Sequence, residues 1–304
     1  MTNEVKLIRN LCRNECSCSE LARGIPFQRR FCMLPADEPR RFLHYSTSTG
    51  WEPIDSRVIS EAPVTLFVNG ESWLTFMCTP THLDALGVGF LFNESIITSA
   101  NEISVVTVCK NGCQLDIWLK RVVDKPEHWR RTSGCTGGAT ATDSIAVKTT
   151  DISTELLQPE MILAGMDDLL RLQELYRSTR GVHCSMLTDG EGTTLLAEDI
   201  GRHNTLDKLA GRLLLEKPAL RRRLVFTTGR ISSEMLQKSV RLGASAVVSR
   251  TSPTALSIRL AEELGITVIG YARRNQFNVY AHAERLQTSA AGVIQQPEQA
   301  CEAC

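Results

Sequence analysis

A chain of 304 residues, 42% hydrophobic and 22% charged, holds enough apolar material for one large folded domain or two smaller ones. Lysine plus arginine and aspartate plus glutamate both number 34, so no global charge favours nucleic acid or an anionic membrane, and any anionic ligand needs a local basic patch. No apolar run is long enough to span a bilayer, and the start, MTNEVKLIRNLCRNEC, lacks the apolar stretch of a secretory signal, so the expectation is a cytoplasmic protein.

In chain order, residues 1–50 read as an irregular, cysteine-rich extension, with Cys12, Cys16, Cys18 and Cys32 among arginines and no sustained period. Ser46 to Gly50 reads as a polar loop, and ordered structure is expected from near Arg57. Val64 to Val68 predicts a strand, Asn69-Gly70 a hairpin turn, and Trp73 to Cys78 the returning strand. Thr79-Pro80-Thr81 opens a helix, with Thr79 or Thr81 as its cap and Leu83, Leu86, Phe90 and Leu91 on its apolar face. Ile103 to Cys109 and Gln114 to Leu119 form a second hairpin, turning at Asn111-Gly112. Residues 51–129 thus make a small α+β unit. Residues 130–145 open with RRTSGCTGGATAT, bury almost nothing, and read as an exposed, mobile loop carrying Cys135.

Residues 146–286 read as an α/β domain. Pro159 to Arg177 has helical leucine spacing, and Cys184 to Leu187 pairs with Thr194 to Ala197 across Asp189-Gly190. Helices over His203 to Leu215, Ser232 to Leu242 and Thr254 to Leu264 alternate with strands over Leu224 to Thr227, Ala246 to Ser249 and Thr267 to Tyr271. That alternation predicts parallel strands with helices packed on the faces. Residues 287–304 form an irregular tail ending Cys301-Glu302-Ala303-Cys304.

Eleven cysteines in a reducing compartment argue against a disulfide framework and turn attention to metal, redox or sulfur chemistry. Cys135 stands out because Gly134, Gly137 and Gly138 let backbone amides approach it, and Arg130 and Arg131 just upstream favour a thiolate. The plainer alternative is a loop cysteine without a role. Three strand ends gather polar groups where an α/β sheet binds ligands. The first is Glu198-Asp199-Ile200-Gly201-Arg202-His203-Asn204-Thr205-Leu206-Asp207-Lys208, where His203 is either an acid–base or phosphate-contacting group or a histidine satisfied by a neighbouring carboxylate. The second is Thr227-Thr228-Gly229-Arg230-Ile231-Ser232, echoed by Ser249-Arg250-Thr251-Ser252-Pro253-Thr254; helix starts plus Arg230 and Ser252 suit an anion. The third is Ile269 to Tyr280, where Tyr271 can stack on a base and Arg273 and Arg274 can meet phosphates or a guanine edge. His183-Cys184 is not a deaminase zinc site: Ser185 stands where the catalytic glutamate belongs, and Ala300 precedes Cys301 where that pattern has proline.

From Glu61 to Leu286 the chain resembles the formate dehydrogenase accessory sulfurtransferase family, FdhD. The motifs that carry the resemblance are Ala62-Pro63-Val64 with Asn69-Gly70, Leu86-Gly87-Val88-Gly89-Phe90-Leu91 with Glu94, Ser133-Gly134-Cys135, and Gly181-Val182-His183. It continues through Glu198-Asp199-Ile200-Gly201-Arg202-His203-Asn204 with Asp207-Lys208, Gly229-Arg230 with Ser233-Glu234-Met235, Lys238, Ser252-Pro253-Thr254, Gly270 and Asn278-Val279-Tyr280. The resemblance implies a small N-terminal unit joined to a cytidine-deaminase-like α/β domain without the zinc. It implies a sulfurtransferase that takes persulfide sulfur from a cysteine desulfurase and passes it to the molybdenum bis(molybdopterin guanine dinucleotide) cofactor of formate dehydrogenase. Cys135 maps to the carrier, Tyr271, Ala272, Arg273, Arg274, Asn275 and Gln276 map to the cofactor-binding stretch, and a homodimer is implied. Some members carry a second loop cysteine as C-x-x-C, whereas Cys135 stands alone here. The rival expectation is a non-catalytic chaperone that binds the cofactor and moves no sulfur.

Overall fold

A computed structural model describes residues 35–109, 112–126, 129–131, 139–141 and 156–287. Strands β1 (Asp37–Ser46) and β2 (Gly50–Ile59) form an antiparallel ribbon. The expectation of irregular chain to about residue 50 is therefore corrected from Asp37 onward. A two-stranded ribbon with most side chains in solvent carries no burial alternation to read. Arg57 ties its base together, donating to both carboxylate oxygens of Asp37 at 2.6 and 2.7 Å, and Ser178 Oγ reaches the same carboxylate at 3.1 Å.

Alternation along β3 (Ala62–Val68) buries Val64, Leu66 and Val68 on one face. The chain returns antiparallel as β4 (Glu71–Cys78) through Asn69 and Gly70, whose φ values of 51° and 84° suit a tight two-residue hairpin turn. Helix α1 (Leu83–Asn93) follows, then the hairpin of β5 (Ile103–Val108) and β6 (Gln114–Leu119), and the sheet has the order β4-β3-β6-β5. Strands β7 (Trp129–Arg131) and β8 (Ala139–Ala141) pair antiparallel.

The leucine spacing from Pro159 to Arg177 is split in the structure. Helix α2 (Pro159–Leu172) stops at Gln173, which is extended (φ −68°, ψ 111°), and α3 (Glu174–Thr179) starts afresh. Then come β9 (His183–Thr188), β10 (Thr194–Asp199), α4 (Arg202–Glu216), β11 (Leu224–Thr227), α5 (Ser233–Arg241), β12 (Ala246–Ser249), α6 (Ala255–Leu264), β13 (Thr267–Arg273) and β14 (Gln276–Ala281). The sheet order is β10-β9-β11-β12-β13-β14. The β11–β12 and β12–β13 ladders are parallel, as helical crossovers require; short hairpins make β9–β10 and β13–β14 antiparallel, and β9 also runs antiparallel to β11.

Alternating residues divide the two faces of this α/β sheet. Leu224, Phe226, Ala246 and Val248 pack under Ile162, Met166 and Leu169 of α2. Val225, Val247 and Val268 pack with α4, α5 and α6 on the other face. The two sheets are joined through α1, which is buried on nearly every side, between the first sheet and α4. Two glycines permit this close approach: a methyl group at Gly89 would sit on the carbonyl of Asp207, and one at Gly211 on the carbonyl of Ala85.

Candidate functional site

The parallel register places Thr227 beside Ser249 and Val248 beside Ile269, so β11, β12 and β13 end along one edge of the sheet. Crevices at such carboxyl ends are where open α/β sheets bind ligands. Short hydrogen bonds tie the emerging segments together. Ser249 Oγ donates to the Gly229 carbonyl at 2.6 Å, the Thr251 amide donates to Ser249 Oγ at 2.9 Å, and the Tyr271 amide donates to the Thr251 carbonyl at 2.9 Å. Helices α5 and α6 start immediately behind, with Ser232 Oγ accepting from the Met235 amide and Thr254 Oγ1 from the Ser257 amide.

Here a cleft of about 550 Å³ opens, lined by Gln173, Tyr176, Arg180, His183, Thr228, Arg250, Thr251 and Arg273 together with Gly181, Val182 and Ile200. Three arginines and two threonine hydroxyls face it, and no carboxylate is among the lining residues, so the site suits an anion. Burial holds His183 below the ordinary imidazole range, with the Arg202 cation acting in the same sense. His183 is therefore neutral at pH 7, and its Nδ1 lies 3.4 Å from Thr228 Oγ1. Arg273 Nε donates to the Arg250 carbonyl at 3.3 Å, and its guanidinium carbon lies 5.8 Å from the centre of the Tyr271 ring.

The residues singled out from the sequence divide between this cleft and its surroundings. Arg273 lines it. Tyr271, 41% exposed, stands beside Arg273 at the β13–β14 turn, where Tyr271 and Arg274 take φ values of 54° and 48°. Arg274, Asn275 and Gln276 are exposed on that turn, outside the lining, and Ala272 points into the core. Arg230 is exposed and Ser252 half-buried, and neither lines the cleft. His203 also lies away from the lining: it is buried, its Nε2 is 3.0 Å from Glu234 Oε2, and burial keeps its imidazole below the ordinary range. Arg250, Thr228 and Thr251 belong to the strand-end motifs already noted. Tyr176 and Arg180 do not; they come from α3 and its C-cap, which no periodic signal separates from α2.

The Glu198-to-Lys208 motif lies mostly beneath the cleft, not in it. Asp199 and Lys208 are fully buried, 2.6 Å apart. Lys208 Nζ also donates to the Thr79 and Glu198 carbonyls and to Thr81 Oγ1, while Asp199 accepts from the Thr79 and Gly201 amides and from Asn204 Nδ2. This occupies the threonines expected to cap α1, which begins instead at His82 with φ 49° and no side-chain cap. A second buried cluster sets Lys238 Nζ 2.7 Å from both Asp207 oxygens, with Asn93 Nδ2 donating to Asp207 Oδ1 at 2.7 Å. Both clusters join the first sheet's unit to the second. Glu198 has another task. Its carboxylate accepts the amides of Glu174, Leu175 and Tyr176, each at 2.9 Å, and so fixes the first turn of α3 against the cleft.

Cys135 belongs to the connection between β7 and β8 and lies outside the described residues, as do Cys12, Cys16, Cys18, Cys32, Cys301 and Cys304. The described cysteines are Cys78, Cys109, Cys113 and Cys184. Burial pushes the thiols of Cys78 and Cys184 far above the ordinary range, which makes both poor nucleophiles.

Comparisons with known proteins converge. The family model described as the FdhD/NarQ family matches residues 59–287. The sulfur carrier protein FdhD of Bacillus subtilis is 38% identical over 240 residues, covering 77% of this chain and 92% of that protein. The sulfur carrier protein FdhD of Staphylococcus haemolyticus is 34% identical over 238 residues, covering 76% and 90%. A crystal structure of a formate dehydrogenase accessory protein from Desulfotalea psychrophila superposes with a TM-score of 0.68 at 27% identity, over 83% of this chain and all of that one.

Proposed function

The chain belongs to the FdhD/NarQ family, and from that premise we propose that it is a sulfur carrier protein working for formate dehydrogenase. Cys135 takes sulfur from a cysteine desulfurase and hands it to the molybdenum bis(molybdopterin guanine dinucleotide) cofactor, which binds as acceptor at the strand-end cleft. The protein acts in the cytoplasm as a homodimer.

The carboxylate-free cleft supports the acceptor half of this proposal. Arg180, Arg250 and Arg273 offer fork-shaped cations to pyrophosphate oxygens, Thr228 and Thr251 offer hydroxyls, and exposed Tyr271 offers an aromatic face for a guanine. Neutral His183 adds a hydrogen-bonding group without adding charge. The chemistry at Cys135 is thiol–persulfide exchange. Its thiolate attacks the terminal sulfur of the desulfurase persulfide, the desulfurase cysteine leaves as a thiolate, and the new sulfur–sulfur bond sits on Cys135. Transfer to the acceptor breaks that bond. Return of Cys135 as a thiolate would release the outer sulfur at the oxidation level of neutral sulfur, so the acceptor metal, or an external reductant, would have to supply two electrons for that sulfur to end as a bound sulfide. No general base is needed at the second step, because a persulfide is already activated.

The test is peptide mass spectrometry after incubation with a cysteine desulfurase and cysteine. The Cys135 peptide gains one sulfur atom, and Cys135→Ala gains none there, keeps its fold by circular dichroism and fails to activate formate dehydrogenase. Full activation by Cys135→Ala would refute the carrier chemistry and leave a cofactor-binding chaperone in its place.

A further inference from the structure

The thiols of Cys109 and Cys113 lie far apart in role from the buried, unreactive Cys78 and Cys184. They flank the β5–β6 turn, and their sulfurs are 3.6 Å apart. Each is held there by a separate backbone anchor. The Cys109 amide extends the hairpin ladder by donating to the Gln114 carbonyl at 2.9 Å, and its carbonyl accepts from the Gly112 amide at 2.9 Å. The Cys113 carbonyl accepts from Thr65 of β3 at 2.9 Å. The Gln114 amide also donates to Cys109 Sγ at 3.2 Å, fixing that sulfur on the side where Cys113 stands. A disulfide needs its sulfurs about 2 Å apart, so side-chain rotation alone has to close the remaining gap.

We propose that Cys109 and Cys113 form a dithiol redox site, which closes to an intrachain disulfide by exchange with a low-molecular-weight disulfide such as oxidised glutathione. Cys113 is half-buried and Cys109 buried, so Cys113 is the thiol that attacks the small disulfide first. The Cys113 thiolate cleaves the small disulfide, forming a mixed disulfide and releasing one small thiolate. Cys109, as thiolate, then attacks the Cys113 sulfur and expels the second. Two protein thiols lose two protons and two electrons in all, and the small disulfide is reduced to two thiols. The site does not depend on the proposed role of Cys135.

Trypsin makes this directly readable, because Lys110 separates the two cysteines and cleavage yields fragments 58–110 and 111–120. The full-length protein is exposed to oxidised glutathione, its remaining thiols are alkylated, and it is digested without reductant. The two fragments are expected to run as one cross-linked species, with Cys78 alkylated, and to separate on reduction. Cys113→Ser abolishes the cross-link and leaves Cys109 alkylatable. Cys109→Ser leaves glutathione trapped on Cys113. The Cys135→Ser chain gives the same cross-link as the parent, so failure of the sulfur-carrier role and failure of this site are distinguishable. Stable glutathione on Cys113 in the parent chain, Cys109 paired with a different cysteine, or both thiols fully alkylated would overturn the proposal.

Discussion

Lys208 places an ammonium group in the interior, where it is tolerated only because Asp199 and three oxygens from the neighbouring loop and strand surround it. Lys208→Met keeps the volume and strands the Asp199 carboxylate. The expected cost is about 3–5 kcal/mol, read as a lowered denaturant midpoint with an unchanged slope. Arg273 sits at the opposite extreme, exposed at the cleft and engaged through one backbone carbonyl and the face of Tyr271. Arg273→Ala should leave the melting temperature unchanged. Loss of a charge-assisted contact of about 1.5–3 kcal/mol predicts an affinity for guanosine diphosphate weaker by about 10- to 150-fold by calorimetry. Both residues fall in motifs visible in the sequence, and only burial separates their tasks. His203 makes the same point: a histidine at a strand-to-helix junction reads alike whether it meets a ligand or, as here, Glu234.

Among the helices, α3 is the one on which the cleft most depends and the one least stable alone, a helix of six residues beyond the break at Gln173. Glu198 substitutes for an N-cap by gathering three of its amides. Glu198→Ala is expected to cost about 1 kcal/mol of stability, to speed hydrogen exchange at the Glu174, Leu175 and Tyr176 amides, and to weaken nucleotide binding by misplacing Tyr176 and Arg180. Unchanged exchange there would remove Glu198 from this role. Strands β3, β4, β9, β11 and β12 were legible because burial alternates or runs unbroken between turn residues. The β1–β2 ribbon and β14 were not, because exposed or half-exposed strands leave no period. The division of α2 from α3 was hidden by Leu172 and Leu175, whose spacing continues across Gln173. Consequently the arginine edge of the cleft could be anticipated from β12 and β13, and its α3 wall could not.

Across the whole molecule, acid is expected to act in two stages. His82, His183 and His203 are all held below the ordinary imidazole range by burial. In the unfolded chain they take up protons near pH 6.5, while the folded protein resists until lower pH, so unfolding binds protons and stability falls as pH drops below about 6.5. Carboxylates add a second loss. A Thr98 amide holds Glu102 down at about 2, the Arg57 guanidinium lowers Asp37, and contact with His203 lowers Glu234. These groups stabilise the fold above the usual carboxylate range and stop doing so as pH falls below about 4.5. Melting curves by circular dichroism from pH 8 to pH 3 should be flat at first and then decline in two steps; a melting temperature that rises from pH 7 to pH 5.5 would contradict the histidine assignment. The seam between the two units has a consequence for how the chain withstands damage. Among the described residues, union there is made by α1 lying backbone to backbone on α4 at Gly89 and Gly211 and by the buried clusters around Lys208 and Asp207, all of them outside the covalent span between β6 and α2. A peptide bond severed anywhere in that span would yield two pieces that stay clasped and co-purify, so a nicked molecule should sediment like an intact one.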